Sequence, residues 1–147
     1  MSTLQTELSS IGAESYTTFI QNKTDGSSYQ FAYQVSNVVT DSSQCRVSFH
    51  WKLWQNGTAM QDRDAGFSLH DVTSVVDEPI GLRIAEQDAA NGQPILNTST
   101  TPPVMVLVVH RSDGAPDNLP FTDAALANRT AATLKQAVKL CGGTLAN

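Results

Sequence analysis

The 147 residues predict an α+β domain, a bent antiparallel sheet or partly open barrel closed by one C-terminal amphipathic helix. Three observations carry this. Residues 45–54 (CRVSFHWKLW) alternate, with Cys45, Val47, Phe49, Trp51 and Leu53 on one side and Arg46, Ser48, His50 and Lys52 on the other. That is the period of a strand with one buried face. The run ends in Asn56-Gly57, a pair suited to a two-residue hairpin turn. Near the end of the chain, Ala127, Ala131, Leu134, Ala137, Val138 and Cys141 recur at helical spacing before Gly142-Gly143. This is an apolar helix stripe followed by a stop.

Taken in order, Leu4, Leu8 and Ile11 form the stripe of a short helix within residues 1–14, with Thr3 as cap and Gly12 as stop. Residues 15–20 read as a first strand and 22–28 (NKTDGSS) as a turn. In residues 29–39, Tyr29, Phe31, Tyr33 and Val35 alternate with Gln30, Ala32, Gln34 and Ser36, a second half-buried strand. Asp41-Ser42-Ser43 turns the chain into the 45–54 strand. If the Asn56-Gly57 loop has two residues, strict pairing sets Leu53 opposite Met60 and Phe49 opposite Asp64, which is wrong for a core face. A one-residue bulge between Gln61 and Gly66 restores the phase, with Asp62 and Asp64 as guarding surface charges.

Residues 67–76 read as strand into turn. Residues 77–92 carry two signals. Ile80, Leu82 and Ile84 alternate as a strand does, whereas Asp77 as cap, Pro79 in the first turn and Asn91-Gly92 as stop favour a helix. The capping signals favour the helix. Residues 93–103 read as a loop, and 104–109 (VMVLVV) as a strand covered on both faces. Residues 110–118 read as a turn, 119–121 as a short last strand, and 122–141 as the helix, capped by Thr122 or Asp123.

This order of elements resembles the pleckstrin-homology-like barrel. FSLHDVTSVVDE (67–78) is similar to the mid-domain strand and turn of those domains, and LPFTDAALANRTAATLKQA (119–137) to their ending, a short strand whose Phe leads into a helix. The resemblance covers residues 29–141 and rests on element order. The helix lacks the Trp that family often carries, and the turn between Val39 and Arg46 has no basic cluster, so phosphoinositide binding is not implied. The same stretches, with Cys45 and the LCGG ending, also look like bacterial proteins of no assigned activity.

Composition bounds the function. With 40% apolar and 16% charged residues the chain can bury one core under a polar surface. A net charge of −5 with nine Lys and Arg argues against nucleic acid and anionic membranes as partners. The longest apolar run, 104–109, is far short of the about 20 residues a spanning helix needs. The start, MSTLQTELSS, carries no signal segment; export with a signal peptide removed and a cytoplasmic life fit equally.

Cys45 and Cys141 each fall on the inward face of their element. They read either as a disulfide tying helix to sheet or as two buried thiols. They match no metal spacing, and neither do His50, His70 and His110. Asp62, Asp64 and residues 71–78 lack the calcium-loop pattern, and no nucleophile elbow or Gly-rich phosphate loop is present. No catalytic, cofactor-binding or metal residue is therefore assigned, and no cofactor. Trp54 breaks the polar alternation of its strand and, with His50, marks a candidate interaction surface. The expectation is a non-enzymatic binding or interaction module with a protein or small-molecule partner. The alternative is a small-molecule-binding or hydrolytic domain with a pocket between sheet and helix, where a histidine meets Asp62, Asp64 or Asp71. Homodimerisation through an open sheet edge stands beside both.

Overall fold

The hairpin around Asn56-Gly57 sets the frame of the computed structural model, which describes residues 2–9, 15–22, 28–80, 82–83, 95–101 and 104–146. Strands β3 (Arg46–Gln55) and β4 (Thr58–Ser68) meet there. Both turn residues have positive φ, 49° at Asn56 and 82° at Gly57, as a type I′ turn requires. The Asn56 amide donates to Gln30 O (2.8 Å) and its Oδ1 accepts from Gln30 N (2.9 Å), docking the turn on the neighbouring strand.

That neighbour is β2 (Ser28–Asp41); β1 (Ser15–Asn22) and β6 (Ile95–Thr101) complete an antiparallel five-stranded sheet in the order β4-β3-β2-β1-β6. A single 3-10 turn, Leu69–Asp71, then leads into β5 (Val72–Pro79). With β7 (Met105–Arg111) and β8 (Gly114–Phe121) this strand forms a three-stranded antiparallel sheet, order β5-β7-β8. Neither sheet closes on itself, and helix α2 (Ala124–Leu140) packs on the second sheet. The class is α+β with open antiparallel sheets.

The main core joins both sheets to the helix. Val47, Phe49 and Phe67 from the first sheet and Leu107, Val109 and Leu119 from the second are buried in one cluster with Leu134 and Val138. The other face of the small sheet has its own cluster, Val106 and Val108 with Val104 and Ile80. β7 is thus covered on both sides, as its unbroken apolar run predicts. Tyr33 packs against both clusters.

Helix α2 starts at Asp123, whose Oδ1 accepts from Leu126 N at 3.1 Å; this satisfies one of the four free amides of the first turn. It buries Ala127, Thr130, Ala131, Leu134, Ala137 and Val138, the expected stripe with Thr130 added and without Cys141, which is half-buried past the helix end. It stops where Gly142 takes φ +82°, a left-handed backbone that glycine adopts without strain. Beyond the helix, Cys141 is bonded to Cys45, 96 positions away.

At the other terminus, α1 (Ser2–Ser9) buries Leu4 and Leu8 completely. Its Gln5 bridges to β2, donating to Val38 O (3.0 Å) and accepting from Thr40 N (2.6 Å). Those groups come just after a bulge at Asn37 (φ 54°) that lets both Val35 and Val38 face the core. Ile11 and Gly12 lie outside the described residues.

Several expectations are corrected. The β4 bulge sits at Met60, between the pairs Leu53↔Gln61 and Trp54↔Ala59, not within 61–66. Placed beside the turn, it resets the phase at once. Phe49 then faces Ala65 and Val47 faces Phe67, while His50 faces Asp64 and Lys52 faces Asp62. Gly66 serves close approach instead, since a Cβ there would lie 2.6 Å from Val47 O. Cys45 precedes β3, in a left-handed turn conformation (φ 50°). Asp77 and Pro79 belong to β5, paired with Leu107 and Met105, not to a helix start. Residues 82 and 83 are helical, and 84–92, the rest of that expected helix, lie outside the described residues. Within the expected 93–103 loop, Ile95–Thr101 is strand β6, paired with β1. Of the expected 110–118 turn only residues 112–113 are turn; β8 begins at Gly114. The 22–28 turn lies mostly outside the described residues.

Candidate functional site

The inner face of β3 has two fates. Val47 and Phe49 are buried in the core, but further along Trp51 and Leu53 are only half-buried. There the sheet borders a cleft of about 630 Å³, within the about 300–1,000 Å³ range of small-molecule sites. One wall comes from Tyr33 of β2, from Phe49, Trp51 and Leu53 of β3, and from Arg63 and Ala65 of β4. The facing wall is Ile80, Arg83, Arg111 and residues 115–118 at the start of β8. No residue of α2 lines it, so the cavity lies between the first sheet and the β7–β8 hairpin rather than between sheet and helix.

Aromatic and cationic groups dominate the first wall. The Tyr33 and Trp51 rings stack with centroids 5.6 Å apart at 27°. The Arg63 guanidinium carbon lies 4.6 Å from the Trp51 ring centroid, a cation–π contact. Arg63 reaches this position because the Met60 bulge pairs it with Trp51, on the inner face between the outward Asp62 and Asp64. The Tyr33 phenol is pushed up to about 12, by burial first and then by the negative charge of Asp117, with Arg63 opposing. It stays a neutral hydroxyl at physiological pH.

The second wall holds two different arginines. Arg111 is neutralised within its own hairpin: Nη1 is 3.5 Å from Asp113 Oδ1 and Nε is 3.1 Å from Asp117 Oδ2. Its N–H groups point at Ala115 O (Nη2 at 2.9 Å). The contact with Asp117 is therefore ionic, and Asp117 Oδ2 keeps an unused acceptor. Burial raises the Asp117 pKa above the ordinary carboxylate range; Arg111 lowers it and Asp113 adds to the rise. Arg83 is only 9% exposed. Its Nε donates to Asn118 Oδ1 at 3.1 Å, the one bond it makes among the described residues.

The residues singled out in the sequence lie elsewhere. His50 is on the outer face of β3, with Nε2 2.5 Å from Asp62 Oδ1 and Nδ1 2.7 Å from Asp64 Oδ1. Hydrogen bonds to Asp64 and then Asp62 raise its pKa, so the pair of carboxylates favours the protonated ring. Ser48 stands two residues along the same face. The arrangement is still not a nucleophile triad, because a triad histidine needs one nitrogen for the hydroxyl and both are taken. Among the described residues no cluster of three His, Cys, Asp or Glu can hold a metal ion; the two carboxylates sit at opposite nitrogens of one ring. His70 Nδ1 lies 3.4 Å from Asp71 Oδ1 on the surface, and His110 is half-buried on β7, paired with Ser74 of β5. Trp54 is half-buried on the strand face opposite the cleft. Cys45 and Cys141 are joined.

The sequence reading missed Arg63, Arg83, Arg111, Asp117 and the exposed side of Trp51. One local signal existed: Asp-Arg-Asp at 62–64 alternates, so whichever face carries the acids excludes the arginine. Nothing local links Arg63 to Arg83; the two-sheet topology does that. No helix among the described residues is long and apolar enough to cross a membrane. No family model, curated protein or solved structure matches this chain.

Proposed function

We propose that this chain is a binding module whose ligand is a small molecule seated in the cleft between the five-stranded sheet and the β7–β8 hairpin. The observation that carries the reading is the opening of β3's inner face. A face that buries Val47 and Phe49 turns into a lined cavity at Trp51 and Leu53. Apolar walls supply affinity by giving up surface to a ligand instead of water, and a few polar groups among them fix orientation. The element order, antiparallel strands ending in one helix, supports kinship with pleckstrin-homology-like domains, and the cleft reading stands without it.

The test uses N-phenyl-1-naphthylamine, a neutral apolar fluorophore. The wild-type protein is expected to bind it with saturable enhancement. Ala65→Phe, which places a ring in the cleft, is expected to abolish the signal while leaving the thermal transition cooperative. Absence of saturable binding to the wild type, or binding unaltered in Ala65→Phe, would overturn the reading.

A further inference from the structure

Resting on the cleft reading, we infer that the ligand is an amphipathic organic carboxylate, its carboxylate held by Arg83 and its apolar body laid along Trp51, Leu53 and Ile80. The charges of the cleft are unevenly spent. Arg111 is matched by Asp113 and Asp117. Asp64 is turned outward to His50. Arg63 covers Trp51 and Arg83 bonds an uncharged amide, Asn118; neither forms an ion pair with a described residue. A guanidinium taken out of water without a counter-charge is costly, and Arg83 is nine-tenths buried against the cavity it lines. An anion brought into that cavity supplies the counter-charge that no described residue gives it.

The kind of anion follows from the surroundings. Arginine's planar fork matches a carboxylate with two parallel hydrogen bonds. Asn118 accepts from Nε, which fixes the fork and leaves its Nη groups for the ligand. With Asp64 turned away, the three guanidiniums of the cleft, Arg63, Arg83 and Arg111, stand against the two carboxylates at Arg111, Asp113 and Asp117. That balance leaves one positive charge, which suits a monoanion better than a polyphosphate. Trp51 and Leu53, both half-buried, would gain nothing from a small inorganic ion, whereas an alkyl or aryl body removes their exposed surface from water.

The experiment is calorimetric titration of the intact protein with octanoate, 1-octanol and inorganic phosphate. Octanoate is expected to bind at least about tenfold more tightly than octanol, the range of a charge-assisted hydrogen bond, and phosphate not at all. Arg83→Gln should bring octanoate down to the affinity of octanol, and a cooperative thermal transition reports that the variant is folded. Arg83→Lys, which keeps the charge and loses the fork, should restore part of the preference. Octanol binding as tightly as octanoate overturns this inference and leaves the cleft reading standing, as does phosphate competing equally with octanoate. Failure of octanoate, octanol and the naphthylamine together removes both.

Discussion

Strand β3 passes through two environments within ten residues. In its first half the core seals one face: Val47 and Phe49 are buried, Arg46 and Ser48 are exposed, and the turn before it is bonded to the end of α2. From His50 to Trp54 every residue is half-buried. The same alternation continues through both halves; what differs is the cover. The sequence states which way a side chain faces, and the rest of the fold decides whether something lies against it. The sealed half holds the fold together, and the open half is available to a ligand.

Truncations should separate these halves. Phe67→Ala, at a fully buried site opposite Val47, is expected to cost about 3–5 kcal/mol by leaving a cavity. The matching change in the open half, Leu53→Ala, should cost well under half of that, because its side chain is already partly in water. Urea denaturation measures both, and equal losses would erase the distinction. Replacing Cys45 and Cys141 together by Ala should cost about 2–5 kcal/mol, the range for a native bridge in a small domain. If instead the midpoint moves by less than the error of the fit, α2 is held by packing alone.

The smallest effect belongs to the outer face of the open half. The His50 pKa is raised in the folded state by Asp64 and Asp62, so protonation favours the fold. The stabilisation is complete below the ordinary histidine pKa and is lost as pH rises through the raised one. Stability should therefore fall modestly on going from mildly acidic to alkaline pH, and His50→Gln should flatten that slope. An imidazole that titrates at its ordinary value by NMR would show that the clamp does not form in solution.

Where sequence and structure part, the cause is usually pairing with a distant strand. The stretch ILNTSTT carries a polar signature that reads as loop, yet β6 forms because β1 offers it an edge; strand propensity yields to context. The first part of β8, through Asn118, reads as a turn and only 119–121 as a strand, but the whole of β8, with Pro116 and Pro120, is the edge of its sheet, where a missing amide is tolerated. Asp77 and Pro79 carry good capping chemistry and are still held in β5 by β7. The β3–β4 hairpin and α2 were legible because each has a strong period and its own stop signal. The cleft was not, since Trp51, Arg63, Arg83 and Arg111 come from separate elements and share no spacing.

The bond between Cys45 and Cys141 has a consequence for how the chain matures. With two cysteines among these 147 residues, one pairing exists within them, so their oxidation needs no isomerase to sort correct from incorrect bridges. During synthesis the first thiol must wait for 96 further residues before its partner is made. Throughout that interval its available partners are other molecules. Mixed disulfides and covalent dimers are therefore the misfolding products to look for, and a small thiol in the refolding buffer should be enough to suppress them.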